Sequence, residues 1–427
     1  MKSAQSLAEI AAKLQGYDPQ ALDVEGVLKF LSELVTPIEA IEEIDIMQSL
    51  QRVVAADVIC PIHVPPHDNS AMDGYAFNGA QLDSRDSLTL KVIGTALAGK
   101  AWQGEIQLGE CIKIMTGAIM PAGLDTVAPQ EICTHSADSS SVTLPKGALQ
   151  RGDNRRLRGE DLTQGLPAVM KGQIINPAVA GLLASLGLPK VKVYRKLKVA
   201  YFSTGDEILS LGEAPREGAV YDSNRYTVHG LVQELGCEMI DMGVVRDDPV
   251  LLEQAFIQAA QSADAVITSG GVSVGEADFT KAMMKKLGDV AFWKIAMRPG
   301  RPMAVGRLHH GNRSAVLFGL PGNPVAVMVT FLAFVKPALL QMMGSTAPVL
   351  PLVRARTQEV LRKKPGRTEY QRGVFSRNEQ GELIVRTTGN QGSGVLSSMV
   401  QANCLIVLAH QQATAQVGDW VDVLPLG

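Results

Sequence analysis

The stretch TSGGVSVGEADFTK, residues 268–281, combines residue types that hold phosphates with types that hold cations. It follows an apolar segment typical of a buried strand and precedes a helix-like segment, so it forms the loop at a strand end. It lacks both G-x-G-x-x-G and a Lys-Ser/Thr pair after the glycines, the two common phosphate fingerprints. The backbone N–H groups and hydroxyls that suit an anion there belong to Ser269, Gly270, Gly271 and Ser273.

Carboxylates accompany these glycines, although an anion site would exclude them. Glu276 and Asp278 stand in the same loop, with Glu276 equally suited to capping the next helix. Carboxylates and an anion share one site when a cation lies between them, and Mg²⁺ prefers hard oxygen ligands together with phosphate oxygens. The sequence therefore predicts a Mg²⁺ site. The other acidic residues that follow predicted strands are Asp206, Glu207, Asp247 and Asp248.

After residue 190, a polar loop follows each of five predicted strands. The loops are STGDE (203–207), VRDD (245–248), TSGGVSVGEAD (268–278), RPGRP (298–302) and GLPGNP (319–324). Taken singly, each is typical of a helix cap or a rigid turn. Ligands of open parallel sheets bind outside the carboxyl ends of the strands, so the five loops together predict one cleft.

Positive charge stands beside this cleft at Lys294, Arg298 and Arg301, which suits a second anion. A phosphate, a divalent cation and a further anion in one cleft favour phosphoryl or nucleotidyl chemistry. No Ser-His-Asp set and no reactive cysteine environment is evident in the sequence. Positioning and electrostatics therefore have to carry the rate.

The elements that position these loops alternate between strand and helix from about residue 191, which predicts a mainly parallel sheet with helices on both faces. Residues 1–60 are helix-like, with apolar residues at three- and four-residue spacing. Short β-branched runs broken by Gly and Pro predict β modules before residue 153 and after residue 345. Asn176 and Pro177 mark the start of a helix.

Composition excludes several functional classes. The 427 residues carry a net charge of −3 and contain no long basic run, so nucleic acid is not an expected partner. Five scattered cysteines suit a reducing compartment, and the N-terminus lacks a signal-peptide pattern, so we expect a cytoplasmic protein. The most apolar run, residues 324–343, is interrupted by Lys336 and Pro337 and predicts a buried core helix, not a membrane span.

Two further segments remain open between structure and function. HDNSAMDGYAF (67–77) and MTGAIMPAG (115–123) fit ordinary hairpins of a β module or a second cluster of functional residues. RGDNRRLRGED (151–161) is typical of a solvated surface segment, although it carries more charge than a turn needs.

These motifs, with YDSNRY, FWKIAMRPGRP, GLPGNPVAVMVTF and PGRTEYQRG, resemble the molybdopterin molybdenumtransferase (MoeA) family, which includes the C-terminal domain of gephyrin. They follow the family order from about residue 25 to the C-terminus. The resemblance implies an elongated four-domain homodimer with a molybdopterin-binding α/β domain. The implied domains are 25–63 with 154–190 (mixed and elongated), 64–153 (β-rich insertion), 191–344 (α/β, with residues 1–24 packed nearby) and 345–427 (C-terminal β).

The resemblance also implies the reaction: Mg²⁺-dependent insertion of molybdate into adenylylated molybdopterin, with release of AMP. It assigns cation and substrate carboxylates to Asp247, Asp278, Glu207 and Asp73, with Thr116 and Asp161 contributed by the second subunit. It associates molybdate or the cofactor phosphate with Lys294, Arg298, Arg301, Pro321, Pro324, Arg372 and Ser393. Some members have Lys in place of Arg298 and Arg301, so charge is kept while the donor geometry differs.

Three other functions compete with this interpretation. The molybdopterin adenylyltransferase, an expected contact partner, shares the α/β domain but is a single domain, which the β modules disfavour. A scaffold without activity is disfavoured by the carboxylates and basic residues that this chain retains. An unrelated nucleotide-binding α/β protein does not explain why the matching motifs also fill the β modules.

Overall fold

The computed structural model describes residues 5–14, 16–83, 87–272, 279–347 and 351–426. Nine α-helices lie in this part of the chain. They are α1 Leu7–Lys13, α2 Val24–Leu34, α3 Pro177–Ser185, α4 Ser223–Glu234, α5 Pro249–Ser262, α6 Phe279–Leu287, α7 Pro324–Thr330, α8 Lys336–Met342 and α9 Ser397–Gln401.

The strands of the described residues form three six-stranded sheets and several two-stranded ones. They are β1 Ile41–Asp45, β2 Val58–Ile59, β3 Asn69–Ser70, β4 Gly74–Phe77, β5 Leu88–Ala96, β6 Glu110–Ile114, β7 Thr126–Pro129, β8 Thr134–His135, β9 Ser141–Leu144, β10 Arg155–Arg156, β11 Pro167–Val169, β12 Lys190–Tyr194, β13 Lys198–Thr204, β14 Ile208–Leu209, β15 Val220–Tyr221, β16 Glu238–Val245, β17 Ala265–Ser269, β18 Gly288–Lys294, β19 Met297–Arg298, β20 Pro302–His310, β21 Arg313–Leu320, β22 Val353–Thr357, β23 Thr368–Arg377, β24 Leu383–Thr387, β25 Cys404–Leu408 and β26 Trp420–Pro425.

The central sheet has the order β16-β13-β17-β21-β20-β18. Its first four strands are parallel, while β20 and β18 run antiparallel to their neighbours. The predicted mainly parallel α/β fold is therefore confirmed, with an antiparallel pair at one edge. The carboxyl ends of the four parallel strands, and the start of β20, lie on the same edge.

Helices cover both faces of this sheet, as the continuous apolar strands predict. On β13, Val199 and Tyr201 join the core under α4 and the 324–342 helix, while Ala200 and Phe202 face α5 and α6. Successive side chains of a strand point to opposite faces, so one strand supplies both cores. The sheet is a rigid support for the loops at its edge.

The most apolar segment forms one long helix from α7 to α8, joined by a π-helical turn at Phe331–Val335. Lys336 N–H donates to the Phe331 carbonyl, a π-type bond that widens the helix just before Pro337. Proline has no N–H and crowds the preceding turn of a regular helix, so the wider turn accommodates it. The 19-residue helix is apolar and long enough to cross a membrane, but 61% of its most apolar window is buried in the protein. It packs as the predicted core helix.

The two β modules have the predicted strands. One sheet has the order β7-β4-β6-β5-β9-β8, and the other has the order β19-β23-β24-β22-β26-β25 with an additional β23–β25 pairing that closes it. The helix-like expectation for residues 1–60 holds only as far as Leu34. Beyond it, Ile41–Asp45 forms β1, paired antiparallel with β12. This five-residue segment, IEEID, is too short for its periodicity to distinguish helix from strand, and pairing with β12 makes it a strand.

Candidate active site at the sheet edge

A cavity of about 540 Å³ lies outside the carboxyl ends of the parallel strands. Four of the five predicted loops supply its walls, and the C-terminal β module supplies the remainder. The lining residues are Glu207, Gly270, Gly271, Val272, Met297, Arg298, Pro299, Gly300, Arg301, Pro302, Pro321, Gly322, Asn323, Ala326, Arg367, Gln391 and Ser393. Strand order alone brings these loops together, as the parallel topology predicts.

Seven of the residues singled out from the sequence line this cavity: Glu207, Gly270, Gly271, Arg298, Arg301, Pro321 and Ser393. The fifth predicted loop, 245–248, does not line the cavity but contacts a loop that does. The N–H of Asp247 donates to Asp206 Oδ1 at 3.3 Å, which ties that loop to the one carrying Glu207. Asp248 caps α5 by accepting from the N–H groups of Val250 and Leu251.

The glycines of the third loop are required by the backbone. Gly270 and Gly271 have φ of +92° and +65°, a region that side chains disfavour. A Cβ on Gly270 would lie 2.6 Å from the Thr204 carbonyl oxygen, and one on Gly271 would lie 2.6 Å from Thr280 Cβ. The backbone that follows β17 therefore turns sharply, with Gly270 packed against β13 and Gly271 packed against α6.

We expect Gly270→Ala to lower the free energy of unfolding by about 2–3 kcal/mol, because strained φ and a backbone clash act together. Gly322→Ala is the matched control in the same cavity, since a Cβ there meets nothing within 4 Å. Urea unfolding of both variants measures the difference. Equal stability of the two variants would contradict the strain at Gly270.

The Ser269 side chain points away from the expected ligand position. Its hydroxyl lies in a buried network, 2.7 Å from the Tyr201 hydroxyl and 3.1 Å from Ser203 Oγ, and Ser203 donates to Asp222 at 2.9 Å. The Gly270 N–H donates to the Leu320 carbonyl at 3.2 Å. These groups support the cavity floor in this structure, and the binding of an anion by them stays a prediction. Because side chains alternate along β17, the Ser269 hydroxyl lies on the face of the sheet that carries Tyr201 and Ser203.

Asp222 gives the stability of this network a pH dependence. Burial raises the pKa of its carboxyl, despite hydrogen bonds from Arg225 N–H and Ser203. A raised folded pKa adds stability below the unfolded pKa and loses it as pH rises through the folded value. We expect Asp222→Asn to raise Tm relative to the wild type by an amount that grows as pH increases from 4 to 7. Thermal melts across this range test it, and a pH-independent difference would contradict it.

The cationic wall of the cavity is the loop from β18 to β20. Arg298 and Arg301 are both exposed, and among the described residues neither has a carboxylate partner. Arg367, the other lining arginine, pairs with Glu369 at 2.9 Å. Two guanidinium groups without a carboxylate partner in the described ranges therefore face the cavity, and Glu207 supplies the one carboxylate among its described lining residues.

This cationic loop is fixed to the C-terminal module by strand pairing. Met297 and Arg298 pair in parallel with Thr368 and Glu369 of β23. A second cavity of about 250 Å³ adjoins the first and shares Arg298 and Gln391 with it. The site is thus continuous from the central sheet into the β module.

Arg372 lines this second cavity and is buried, with 1% of its surface exposed. Its guanidinium donates to Ser398 Oγ at 3.0 Å and to the Gly392 carbonyl at 2.9 Å. Burial lowers the pKa of Arg372, and the charge of Arg298 lowers it further. The second cavity is lined by Arg298, Arg362 and Arg372 together with the carboxylates of Glu359 and Glu369, so both signs of charge meet at this end.

Ser393 is held at the start of the long helix. Its carbonyl accepts from Val325 N–H at 3.1 Å, and its hydroxyl accepts from Asn323 Nδ2 at 3.1 Å. Pro324, the first residue of α7, stands beside this contact without lining the cavity. Lys294 is the last residue of β18 and also stands outside the lining. Its role stays a prediction.

Among the lining residues with polar side chains, three were not singled out from the sequence: Arg367, Asn323 and Gln391. Gln391 fixes the loop before Ser393, since its Oε1 accepts from Arg372 N–H at 2.8 Å and its Nε2 donates to the Arg372 carbonyl at 3.1 Å. Arg367 lies in the quoted PGRTEYQRG motif, whose two arginines are not told apart by sequence. Only the β19–β23 pairing shows which one enters the main cavity.

Asp73, Thr116 and Asp161 lie apart from this cavity. Asp73 Oδ1 accepts from both the N–H and the hydroxyl of Thr116, at 2.7 and 2.8 Å, and these bonds lower the pKa of the Asp73 carboxyl. Asp161 is exposed, and its N–H donates to the Val64 carbonyl. The described lining contains no residue between 64 and 153.

The predicted Mg²⁺ ligands are only partly described. Ser273, Glu276 and Asp278 lie outside the described residues. Glu207 and Asp247 are exposed at the edge, on loops joined through Asp206. Within the described ranges, no group of three or more His, Cys, Asp or Glu side chains is arranged to hold a metal. Gly205, at φ +139°, leaves room for the Glu207 carboxylate, which lies where a Cβ would stand.

Family models match almost the whole chain. Residues 22–187 match the MoeA N-terminal region (domain I and II), 200–341 a probable molybdopterin binding domain, and 354–426 the MoeA C-terminal region (domain IV). Molybdopterin molybdenumtransferase of Haemophilus influenzae is 43% identical over 400 residues, which cover 93% of this chain and 96% of that protein. This chain belongs to the MoeA family. Its relatives are named molybdopterin molybdenumtransferase, so it is a transferase of molybdenum cofactor biosynthesis.

Other relatives agree with this membership. The molybdopterin molybdenumtransferase of a Nostoc species is 32% identical over 96% of this chain and 94% of its own length. The crystal structure of the molybdopterin biosynthesis moeA protein from Pyrococcus horikoshii matches with a TM-score of 0.79 and 27% identity, covering 95% of this chain and all of that one. The multidomain MoeA fold expected from the sequence is thereby confirmed.

Proposed function

We propose that this MoeA-family protein inserts molybdenum from molybdate into adenylylated molybdopterin, releasing AMP and forming the molybdenum cofactor. The observation that carries the proposal is the pair of arginines, Arg298 and Arg301, which face the cavity without a carboxylate partner among the described residues. Molybdate is a tetrahedral dianion, and a planar guanidinium binds two of its oxygens at once. Two such groups neutralise its charge.

Each part of the cavity has a task in this scheme. Arg298 and Arg301 hold molybdate while the two thiols of the pterin bind the metal, and the two thiol protons leave with one molybdate oxygen as water. Gly270 and Gly271 line the cavity, and the phosphate end of the pterin is proposed to lie against their backbone. Ser393 lines the main cavity and buried Arg372 lines the adjoining one, and both are proposed to bind the phosphate of the pterin or molybdate.

Mg²⁺ is proposed at the acidic side of the cavity, held by Glu207, Asp247 and Asp278. The first two are exposed on linked loops, which fits hard oxygen ligands with several waters. When bound, Mg²⁺ neutralises the phosphate oxygens and stabilises the charge that develops as AMP leaves.

We also propose a cytoplasmic homodimer in which Asp73, Thr116 and Asp161 of one subunit complete the cavity of the other. Support comes from the separation of these residues from the described cavity, together with the hydrogen bonds that already join Asp73 to Thr116. The adenylyltransferase that makes the substrate is the proposed contact partner. The domain boundaries given above belong to the same proposal.

The function is tested by measuring AMP release from adenylylated molybdopterin with purified protein, Mg²⁺ and molybdate. We expect release to require both ions and to be accompanied by molybdenum bound to the pterin. Binding of the substrate without molybdate-dependent release of AMP would overturn the proposal. Omission of molybdate and of Mg²⁺ in separate reactions provides the controls.

A further inference from the structure

A segment outside the cavity supports its cationic wall. Residues 17–22, called here the N-terminal strap, connect α1 to α2 and lie along the end of β18. The Pro19 carbonyl accepts from the Lys294 N–H at 2.8 Å, and the Leu22 carbonyl accepts from the Ala296 N–H at 2.8 Å. β18 is an edge strand, so the strap satisfies backbone donors that would otherwise face solvent.

An aromatic contact fixes the strap to the same strand. Trp293 Nε1 donates to the Tyr17 hydroxyl at 2.9 Å. Phe30 of α2 stacks on Tyr17 with ring centroids 5.9 Å apart and meets Trp293 edge-on at 4.9 Å. Trp293 and Phe30 are buried, so this contact is held by packing as well as by the hydrogen bond.

The backbone held by the strap leads directly into the cationic loop. Ile295 N–H donates to the Arg301 carbonyl at 2.7 Å, which closes the loop, and Thr368 N–H donates to the Ala296 carbonyl at 2.9 Å from the opposite side. Ala296 is thus bonded to the strap through its N–H and to β23 through its carbonyl. Arg298 follows two residues later.

We propose that the N-terminal strap is a positioning element of the anion site, and this inference rests on the proposed binding of molybdate by Arg298 and Arg301. Neither arginine has a carboxylate partner among the described residues, so no ion pair within that part of the chain orients them. Their placement comes from the backbone of residues 294–301. The strap fixes the first residues of that segment, so that the anion meets a preorganised pair of guanidinium groups.

Helix α1 provides a separate attachment of the N-terminus, which makes a matched control possible. Leu7 N–H donates to Asp289 Oδ2, near the opposite end of β18. Leu7 and Leu22 have 7% and 6% of their surface exposed and belong to the same core cluster. Leu7→Ala and Leu22→Ala therefore remove the same side chain from similar surroundings, at the far end of β18 and at the strap respectively.

The test compares these two variants in the full chain by titration calorimetry with sodium molybdate and by amide hydrogen exchange. We expect Leu22→Ala to raise the molybdate Kd about tenfold, because misplacement of binding groups weakens a preorganised site. Exchange at Lys294 and Ala296 should quicken in the same variant. Leu7→Ala should leave both quantities near wild-type values despite a comparable fall in Tm.

A folded Leu22→Ala protein with wild-type molybdate Kd would overturn the inference, as would an equal effect of Leu7→Ala. If Leu22→Ala does not fold, Tyr17→Phe replaces it, since it keeps the ring and removes only the acceptor of Trp293. An unchanged Kd in Tyr17→Phe then counts against the strap. If wild-type protein binds no molybdate, the proposed function fails instead. Hydrogen exchange then tests the strap alone: faster exchange at Lys294 and Ala296 in Leu22→Ala or Tyr17→Phe, but not in Leu7→Ala, shows that the strap orders this loop, and unchanged exchange shows that it does not.

Discussion

Replacing Arg298 with alanine should raise the Kd for molybdate about 100-fold, equivalent to about 2.7 kcal/mol of binding free energy. The guanidinium faces the cavity and has no carboxylate partner among the described residues, so the substitution removes a positive charge from the proposed anion site. Arg367, the neighbouring lining cation, is paired with Glu369 and does not replace it. Calorimetric titration with molybdate measures the change.

The fold should survive this substitution. The charge of Arg298 lowers the pKa of buried Arg372, so removing it relieves a repulsion, and we expect Tm to stay at or above the wild-type value. Arg298→Lys is the control that keeps the charge and loses the planar fork. Its Kd should fall between those of the wild type and Arg298→Ala. Wild-type molybdate affinity in Arg298→Ala would remove Arg298 from the anion site.

Mixing two inactive variants should restore activity if the subunits share their sites. Asp73→Ala and Arg298→Ala alter different surfaces of one chain, since Asp73 lies with Thr116 outside the described cavity. In a mixed dimer with a shared site, one site carries both substitutions and the other carries neither. Random assembly makes half of the dimers mixed, so we expect about a quarter of wild-type AMP release.

A second mixture separates shared sites from other causes of recovery. Glu207→Gln and Arg298→Ala both alter the cavity built by one chain, so every site of their mixed dimer carries one substitution. This mixture should stay inactive. Native mass spectrometry confirms that mixed dimers form in both samples. Absence of recovery with Asp73→Ala, when mixed dimers are present, would show that Asp73 acts elsewhere.

Local signals in the sequence were sufficient to predict several helix starts, both in the central domain and before it. Asn176 and Asp248 start α3 and α5 with side-chain caps, and Pro177 occupies the first helical turn, as residue preferences predict. Alternating strands and helices were sufficient to predict a mainly parallel sheet, and with it the edge at which the loops meet. That edge holds the cavity because parallel strands all end on one side.

The sequence was ambiguous where a residue's role depends on a distant partner. Ser269 has the type expected of an anion ligand, but the strand directs its hydroxyl into a network with Tyr201. Ile41–Asp45 becomes a strand only because β12 lies beside it. A side chain or short segment carries no record of which face will be covered, so composition and spacing do not settle these cases.

By itself, the sequence determined the family, the order of elements and the loops that approach one edge, because these follow from local preferences and ordered motifs. Only the tertiary structure decided which residues share the cavity. Contacts over long stretches of chain place Arg367 and Gln391 beside Arg298, and set the N-terminal strap against β18. These contacts depend on packing between elements that are distant in the chain, and the periodicity of one segment does not reveal which other segment will pack against it.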